Sequence, residues 1–206
     1  MGEITAILPQ KKDKTRCNIY LNGQFYCGMK LEVVMNNRLK CGAEVSPSYL
    51  DDLQLESEKM TALDKALNHL SSSMKTRKQI TDFLKKKGYL NGIIEYVLEK
   101  LESYGYIDDA EYARQYTNSA GKTKGRRLIA LELQKKGVSA EQAYQAVENI
   151  QGEEQSALKI LQKYMKNKPS DRETLYKAFR YLIGKGFEYD TVKSALQAFG
   201  EIDEDT

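Results

Sequence analysis

Along most of this chain, apolar residues recur at steps of three and four, the spacing that places them on one face of an α-helix. The pattern is itself repeated, because a leucine stands four residues before each of three glycines that lie 49 residues apart. The glycines are Gly88, Gly137 and Gly186, and the leucines are Leu84, Leu133 and Leu182. A fixed period of this size indicates one supersecondary unit used in tandem.

Each glycine follows lysine in what reads as the last turn of a helix, where cations favour the negative dipole end and glycine allows the left-handed stop. Apolar positions on both sides of the glycine keep the same offsets in all three copies, and another apolar-periodic stretch precedes each pair. We therefore predict a mainly α-helical protein of three tandem three-helix repeats. We expect an elongated array, whose curvature the sequence leaves open. An accidental glycine spacing in an ordinary helical bundle is the alternative, and the agreement of so many offsets disfavours it.

The start of the chain follows a different pattern. Strand-forming residues at 17–21 and 24–27 flank Asn22-Gly23, which is the strongest short signal for a β-hairpin. We also expect a strand over 3–8, one or two helical turns over 31–37, and another strand over 38–45. This small β-rich N-terminal extension is too short for a strong core of its own, so we expect it to pack on the helices that follow.

Capping residues set the predicted helix boundaries. Ser46-Pro47 opens the helical part, with a lead-in helix over 48–57 and a separate helix over 58–73. Further helices are expected over 76–87, from the cap Asn91 to about 104, from Asp108 or Asp109 to about 120, over 124–136, from Ser139, from near Gly152, from Ser170 and from Asp190. The acidic end, 201–206, is expected to fray. The resulting segments are the extension 1–50, the lead-in helix with repeat 1 at 51–108, repeat 2 at 109–151, and repeat 3 with the acidic tail at 152–206.

Residues suited to catalysis are scarce. The one histidine, His69, has no partner motif for a nucleophilic or general-base arrangement, and no Gly-Lys phosphate loop is present. The adjacent carboxylates Asp108 and Asp109 suggest helix capping more readily than a metal site, because neighbours on a helix do not face each other. We expect no enzymatic activity, no catalytic residue, no cofactor and no metal.

Three cysteines lie near the start of the chain, at Cys17, Cys27 and Cys41. Their number is odd and none forms a C-x-x-C pair, so we expect buried or half-buried free thiols in a reducing compartment. No apolar run approaches membrane-spanning length, and no signal peptide opens the chain. These features predict a cytoplasmic protein without a membrane partner.

Positive charge is concentrated locally although the net charge is only +3. Six bases against one acid occur in each of two segments, 75–87 and 122–136, at equivalent positions on the second helix of a repeat. If the repeats stack alike, these residues form a basic stripe suited to phosphate or to an acidic protein surface. A merely solvated face is the alternative, but cations at 122–127 sit at a helix start, where the dipole disfavours them. The candidate binding residues are Arg77, Lys78, Lys122, Lys124, Arg126, Arg127, Lys135 and Lys136.

Several motifs together carry a family resemblance. Gly-Tyr-Ile-Asp-Asp at 105–109, Tyr-Ala at 112–113, Lys-Gly-x-x-x-Ile at 124–129 and Leu-x-x-Lys-Gly at 133–137 resemble the RecX family, bacterial regulators of the RecA recombinase. The resemblance covers about residues 58–200, and the β-rich start looks like the extension of some Gram-positive members. The third repeat departs most, because Leu175 replaces the arginine of the other two and its second helix is less basic.

The resemblance implies a non-enzymatic protein that binds in the helical groove of the RecA–DNA filament and limits filament growth or strand exchange. It further implies roles in DNA repair, DNA recombination and the SOS response, and contact with single-stranded or double-stranded DNA, weakly or within the filament. We expect a monomer. The alternative is a stand-alone DNA-binding protein in which each repeat acts as a helix-turn-helix-like module. Whether a regulator of this kind inhibits or stimulates RecA stays open in the sequence.

Overall fold

Strands occupy the start of the chain and helices occupy the rest. The computed structural model describes the backbone of residues 1–204 and the side chains of residues 1–200. The chain forms two compact units, one of Met1–Ser73 with Ile80–Tyr106 and the other of Met74–Gln79 with Ile107–Thr206. The elements of the β-rich extension are β1 Gly2–Pro9, β2 Arg16–Leu21, β3 Gln24–Lys30, α1 Leu31–Asn36 and β4 Glu44–Val45.

The four strands form an antiparallel sheet in the order β3-β2-β1-β4. The predicted hairpin is confirmed: Asn22 and Gly23 join β2 to β3 with φ of 50° and 81°, the left-handed values that the turn requires. The strand predicted over 38–45 is wrong except for its last two residues. Arg38 and Gly42 both take positive φ, 52° and 84°, which interrupts an extended backbone.

The extension packs on the first helix of the helical part, as the sequence predicts. Ile4, Ile19 and Met29 from the sheet share one buried core with Leu50 and Leu53. Polar contacts fix the same junction, because the Lys30 N–H donates to Oγ of the buried Ser57 at 2.7 Å and Arg16 Nη1 donates to Thr61 Oγ1 at 2.9 Å.

All three cysteines carry free thiols, and the sheet buries two of them. Burial raises the pKa of the Cys17 thiol and raises that of Cys27 to about 11, so both are held as neutral apolar side chains. The prediction of buried or half-buried thiols is wrong for Cys41, which is exposed. It lies in the turn beside Gly42.

Nine helices follow the extension in the part of the chain that the structure describes. They are α2 Pro47–Leu70, α3 Arg77–Lys86, α4 Asn91–Ser103, α5 Asp109–Ala120, α6 Arg126–Lys135, α7 Ala140–Glu148, α8 Glu153–Met165, α9 Arg172–Gly184 and α10 Tyr189–Glu204. Taken three at a time, they make the three tandem repeats. The separate helices predicted over 48–57 and 58–73 are one continuous helix, α2, because no glycine or proline interrupts it after Pro47.

Three of the predicted caps are displaced. Asn91 is the first residue of α4 rather than its cap, and Asp190 lies in the first turn of α10, where a carboxylate favours the dipole. Asp171 replaces Ser170 as the cap of α9, because its carboxylate accepts the Thr174 N–H at 2.7 Å. Ser139 caps α7 as predicted, and Asp108 caps α5. The acidic end is helical to Glu204, and its last two residues lie outside the described chain, as do all its side chains.

Equivalent residues fill the cores of the second and third repeats. Ile129, Leu133 and Ala143 are buried in repeat 2, and Ala178, Leu182 and Val192 are buried 49 residues later in repeat 3. In repeat 1, Ile80, Leu84 and Ile94 occupy the same positions and are also buried. The tandem pattern read from the sequence is therefore confirmed by the packing.

Candidate functional site

The start of α3 contacts the glycine turn that follows α6, within the second compact unit. Thr76 Oγ1 donates to the Lys136 carbonyl at 2.5 Å, and Lys78 Nζ donates to the Lys135 carbonyl at 3.1 Å. Gly137 takes a φ of 98°, and a Cβ on it would lie 2.2 Å from the Cβ of Lys78. Only glycine permits this approach, so the predicted glycine stop also serves as a docking point.

The start of α6 makes the same contact with the next glycine turn. The N–H of Gly125 donates to the Lys185 carbonyl at 3.0 Å, and the N–H of Arg127 donates to the Gly186 carbonyl at 3.2 Å. A Cβ on Gly186 would lie 2.3 Å from the Cβ of Leu128. At the equivalent Gly88 no described atom lies within 4 Å of such a Cβ. Second helices thus begin against the turn of the following repeat.

A carboxylate on the first helix of each following repeat caps the preceding second helix. Asp109 Oδ1 accepts the Arg77 N–H at 2.8 Å, and Glu153 Oε1 accepts the Arg126 N–H at 2.8 Å. Asp108 caps its own helix, so the two adjacent aspartates have separate structural roles.

Among the described residues there is no group of three or more metal-binding side chains.

Arg126 is held by the chain itself. Its Nε lies 2.9 Å from Glu153 Oε2, and its Nη2 donates to the Ile150 carbonyl at 2.6 Å. The sequence analysis attributes the cation at this unfavourable helix start to a binding partner. In the structure, contacts within the chain account for it instead. The Glu153 carboxylate offsets the unfavourable dipole interaction. Sequence reasoning missed Glu153, because its spacing from Arg126 has no meaning until the repeats are stacked.

Lys124 and Lys136 gather around one tyrosine and one carboxylate. Lys124 Nζ lies 2.7 Å from Glu132 Oε1, Tyr116 Oη donates to Glu132 Oε2 at 2.6 Å, and the Lys136 ammonium lies 5.2 Å from the Tyr116 ring centroid. Burial acts to raise the pKa of Glu132, but the hydrogen bonds from Lys124 and Tyr116 outweigh it and lower that pKa. The hydrogen bond with Glu132 raises the pKa of Lys124, and burial raises that of Tyr116. Glu132 thus satisfies the charge of Lys124 within repeat 2.

The other candidate residues divide by exposure. Lys78, Lys122, Arg127 and Lys135 are exposed, whereas Arg77 and Lys136 are half-buried. The structure brings Lys78 against the end of α6, next to Lys135 and Lys136. Arg127 lies at the opposite end of the same helix, beside the groove that Leu131 and Tyr144 also line.

Repeat 3 contains a basic surface that sequence reasoning missed. A groove of about 560 Å³ is lined by Thr123, Ile160, Lys163, Tyr164, Lys166, Lys168, Tyr181 and Lys185. From the sequence, repeat 3 is expected to be less basic because its second helix contains fewer lysines. Most of these lysines instead come from the end of α8 and the segment that follows it. The signal available was the run Lys163, Lys166 and Lys168 beside Tyr164.

Family models match the chain along almost its whole length. Residues 2–46 match the Regulatory protein RecX N-terminal domain, and residues 62–101, 108–147 and 152–196 match the first, second and third three-helix domains of RecX. The chain belongs to the RecX family. The resemblance stated from the motifs is therefore confirmed, and the third repeat belongs to the family despite its departures. No helix in the described part of the chain has the length and apolar character needed to span a membrane.

Named relatives and solved structures agree with this membership. Regulatory protein RecX of Bacillus licheniformis is 32% identical over 203 residues, which cover 96% of this chain and 77% of the relative. Regulatory protein RecX of Bacillus subtilis is 32% identical over 213 residues, covering 100% and 81%. A crystal structure of regulatory protein RecX superposes with a TM-score of 0.72 at 27% identity and covers 94% of this chain and 98% of the other. RecX from Lactobacillus salivarius gives a TM-score of 0.63 at 27% identity, covering 68% and 95%. The RecX family is one of regulatory proteins, and these likenesses support a regulatory role for the chain.

Proposed function

We propose that this protein regulates the RecA recombinase by binding in the groove of the RecA–DNA filament, and that it limits RecA activity there without catalysing a reaction. Family membership supports a regulatory role. The observation that carries the finer proposal is that Lys78 and Lys135 are both exposed and meet at the end of α6, where the Lys78 ammonium donates to the Lys135 carbonyl. Cations gathered at a surface in this way favour an acidic protein face or a phosphate backbone as partner.

The eight candidate residues take different parts in this proposal. Lys78, Lys122, Arg127, Lys135 and Lys136 contact the filament directly through their side chains. Arg77, Lys124 and Arg126 act mainly by fixing the backbone that presents the others, since a carboxylate caps the Arg77 N–H and carboxylates neutralise the Lys124 and Arg126 side chains. The Lys78 ammonium is bonded to a neutral carbonyl instead, so its charge remains available to a partner. The protein works as a monomer in the cytoplasm, in DNA repair, recombination and the SOS response.

Co-sedimentation tests the proposal. RecA is assembled on single-stranded DNA with a non-hydrolysable ATP analogue, and the protein is added before the filaments are pelleted. We expect the protein to pellet with the filaments, to stay in the supernatant with free RecA, and to lower RecA ATP hydrolysis when ATP is supplied. Absence of the protein from the filament pellet, together with unchanged ATP hydrolysis, would refute the proposal.

The alternative is a stand-alone DNA-binding protein with helix-turn-helix-like repeats. In such modules the first residues of the recognition helix contact base edges. Here the starts of α3 and α6 are bonded to the glycine turns at Gly137 and Gly186, so these ends are occupied. Tight and steeply salt-dependent binding to duplex DNA without RecA would favour the alternative.

A further inference from the structure

We propose that the groove of repeat 3 binds single-stranded nucleic acid, with a base stacked on Tyr181 and the adjoining phosphates held by Lys168 and Lys185. The groove lies between the segment before α6, the end of α8 and the end of α9, all within the second compact unit. Its volume of about 560 Å³ is in the range of ordinary ligand sites. None of the candidate residues discussed above lines it.

Two aromatic rings form the floor of this site. Tyr164 and Tyr181 are stacked, with centroids 4.5 Å apart and planes inclined by 22°. The Lys168 ammonium lies 3.3 Å from the Tyr164 centroid, and the Lys185 ammonium lies 5.4 Å from the Tyr181 centroid. An ammonium does not fit between rings this close, so Lys168 covers the outer face of Tyr164. Tyr181 is 37% exposed, and the Lys185 ammonium is the group that lies over its outer face, at the longer distance. A flat ligand displaces this flexible side chain from the ring and keeps it within reach of the adjoining phosphate.

Among the described side chains, no carboxylate balances the charge of the groove. Four lysines line it, at Lys163, Lys166, Lys168 and Lys185, and none of the described residues lining it is acidic. In the part of the chain that the structure describes, none of these lysines forms an ion pair. Bringing them together therefore raises the local electrostatic free energy until an anion binds.

In repeat 2, the positions equivalent to Tyr181 and Lys185 form a site whose charge is neutralised by a carboxylate of the same repeat. Glu132 stands 49 residues before Tyr181, and Lys136 stands 49 residues before Lys185. Glu132 accepts hydrogen bonds from Lys124 and Tyr116, so its carboxylate occupies the anion position in repeat 2. In repeat 3 an aromatic ring replaces that carboxylate, which leaves a stacking surface and lysines that no described carboxylate neutralises.

Aromatic rings together with lysines favour nucleic acid over an acidic protein. Every base offers a flat face for stacking on tyrosine, and the backbone supplies phosphates to adjacent ammonium groups. An acidic peptide matches the lysines and leaves the ring face unused. A duplex hides its base faces in the helical stack, so the ligand is a single strand.

This inference assigns the DNA contact of the proposed function to one groove, and it rests on the proposed function only for that contact. The filament assay tests RecA binding, whereas the groove is tested without RecA, so each can fail separately. The probe is a short fluorescently labelled oligo(dT), with fluorescence anisotropy measured across a salt series. We expect Tyr181→Ala to weaken binding about tenfold and Tyr181→Phe to preserve it, because stacking needs the ring and not the hydroxyl.

The charge arm uses a matched pair of variants. Lys168→Gln with Lys185→Gln is expected to weaken binding about tenfold and to flatten the salt dependence. Lys159→Gln with Lys193→Gln removes the same charge from exposed positions of repeat 3 outside the groove and is expected to bind like the wild type. Tyr181→Glu copies the arrangement of repeat 2 and is expected to abolish binding. Thermal unfolding by circular dichroism verifies that each variant is folded.

Three outcomes would overturn the proposal. One is that oligo(dT) does not bind, or binds equally to Tyr181→Ala and the wild type. Another is that an abasic oligonucleotide of the same length binds as tightly, which shows that no base is stacked. The third is that poly-glutamate competes as well as unlabelled oligo(dT), which assigns the groove to an acidic protein.

Discussion

The backbone N–H of Arg126 donates to Oε1 of Glu153 at 2.8 Å, so the first residue of α8 caps the start of α6. The same relationship joins Arg77 to Asp109 through their N–H and carboxylate groups. A helix start normally finds its cap within a few residues of itself. Capping by a carboxylate from the next repeat instead couples the stability of one repeat to the folding of its neighbour, as in other tandem arrays.

Removing the Glu153 carboxylate should destabilise the protein. Glu153→Ala deletes the cap of α6 and the ion pair with Arg126, and the pair is partly buried because Glu153 is 9% exposed at its side chain. We expect a loss of about 2 kcal/mol in the free energy of unfolding, roughly 6 °C in Tm. Urea and thermal unfolding followed by circular dichroism measure both.

The neighbouring Glu154 supplies the control, since it is exposed and lies in the same turn of α8. Glu154→Ala should change the free energy of unfolding by less than about 0.5 kcal/mol. Glu153→Gln keeps an acceptor for the Arg126 N–H and should lie between the two. Equal stability of Glu153→Ala and Glu154→Ala would refute the capping role.

The three equivalent glycines should respond differently to alanine. Each has positive φ, which costs about 1 kcal/mol for alanine, but only Gly137 and Gly186 are also approached by another helix. The added Cβ would overlap Lys78 or Leu128, so Gly137→Ala and Gly186→Ala should cost at least about 2 kcal/mol more than Gly88→Ala. Denaturant unfolding of the three variants gives the comparison.

Gly125→Ala separates steric overlap from backbone strain. The φ of Gly125 is −81°, which alanine accepts, yet its Cβ would lie 2.3 Å from backbone atoms of Gly186. Substantial destabilisation of this variant is expected from overlap alone. If Gly125→Ala leaves the free energy of unfolding unchanged, the close approach at Gly186 is incorrect.

Stability should fall in acid partly through Glu132. Its pKa is lowered in the folded protein from an ordinary value of 4.5, so its contribution is present above that pH and is lost as the pH falls through the folded pKa. The Tm of Glu132→Gln should therefore fall less steeply than that of the wild type between about pH 5 and pH 3, the range in which carboxylates titrate. Lys124→Gln should flatten the same interval, and the double variant should add little. A wild-type slope in both single variants would contradict this assignment.

The repeat architecture was predictable because it depends on local chemistry. Leu84, Leu133 and Leu182 bury the same face of each second helix, and their glycines stop it, so the sequence alone shows the period. The N-terminal hairpin was predictable for the same reason, since Asn22-Gly23 determines its turn. The sequence does not show whether Ser170 or the adjacent Asp171 caps α9, or whether residues 48–57 and 58–73 form one helix or two. Only the packing of the chain decides between such alternatives.

The candidate site was less predictable because it depends on contacts distant in sequence. Arg126 and Arg127 are neighbours with the same charge, yet Glu153 binds one and leaves the other exposed. The sequence predicts Lys124 as a binding residue, whereas in the structure its ammonium group pairs with Glu132. Conversely, the groove around Tyr181 was missed because its lysines come from two segments that no single helical window contains.

Exposed cations, rather than all the cations, should carry the regulatory contact. We expect the triple variant Lys122→Gln, Arg127→Gln and Lys135→Gln to keep the wild-type Tm within about 2 °C, because none of the three side chains has a carboxylate partner in the described chain. Arg126→Gln should lower Tm instead, since it breaks the contacts with Glu153 and Ile150. Circular dichroism melts distinguish the two groups of residues.

The most direct measurement is RecA ATP hydrolysis on single-stranded DNA, titrated with the wild-type protein, the triple variant and a charge-matched control. The control is Lys40→Gln, Lys159→Gln and Lys193→Gln, three exposed positions outside the candidate surface. We expect the wild type and the control to lower hydrolysis equally, and the triple variant to need about tenfold more protein for half the effect. Equal potency of the triple variant and the wild type, or no effect of the wild type, would contradict the proposed contact of these cations with the RecA–DNA filament.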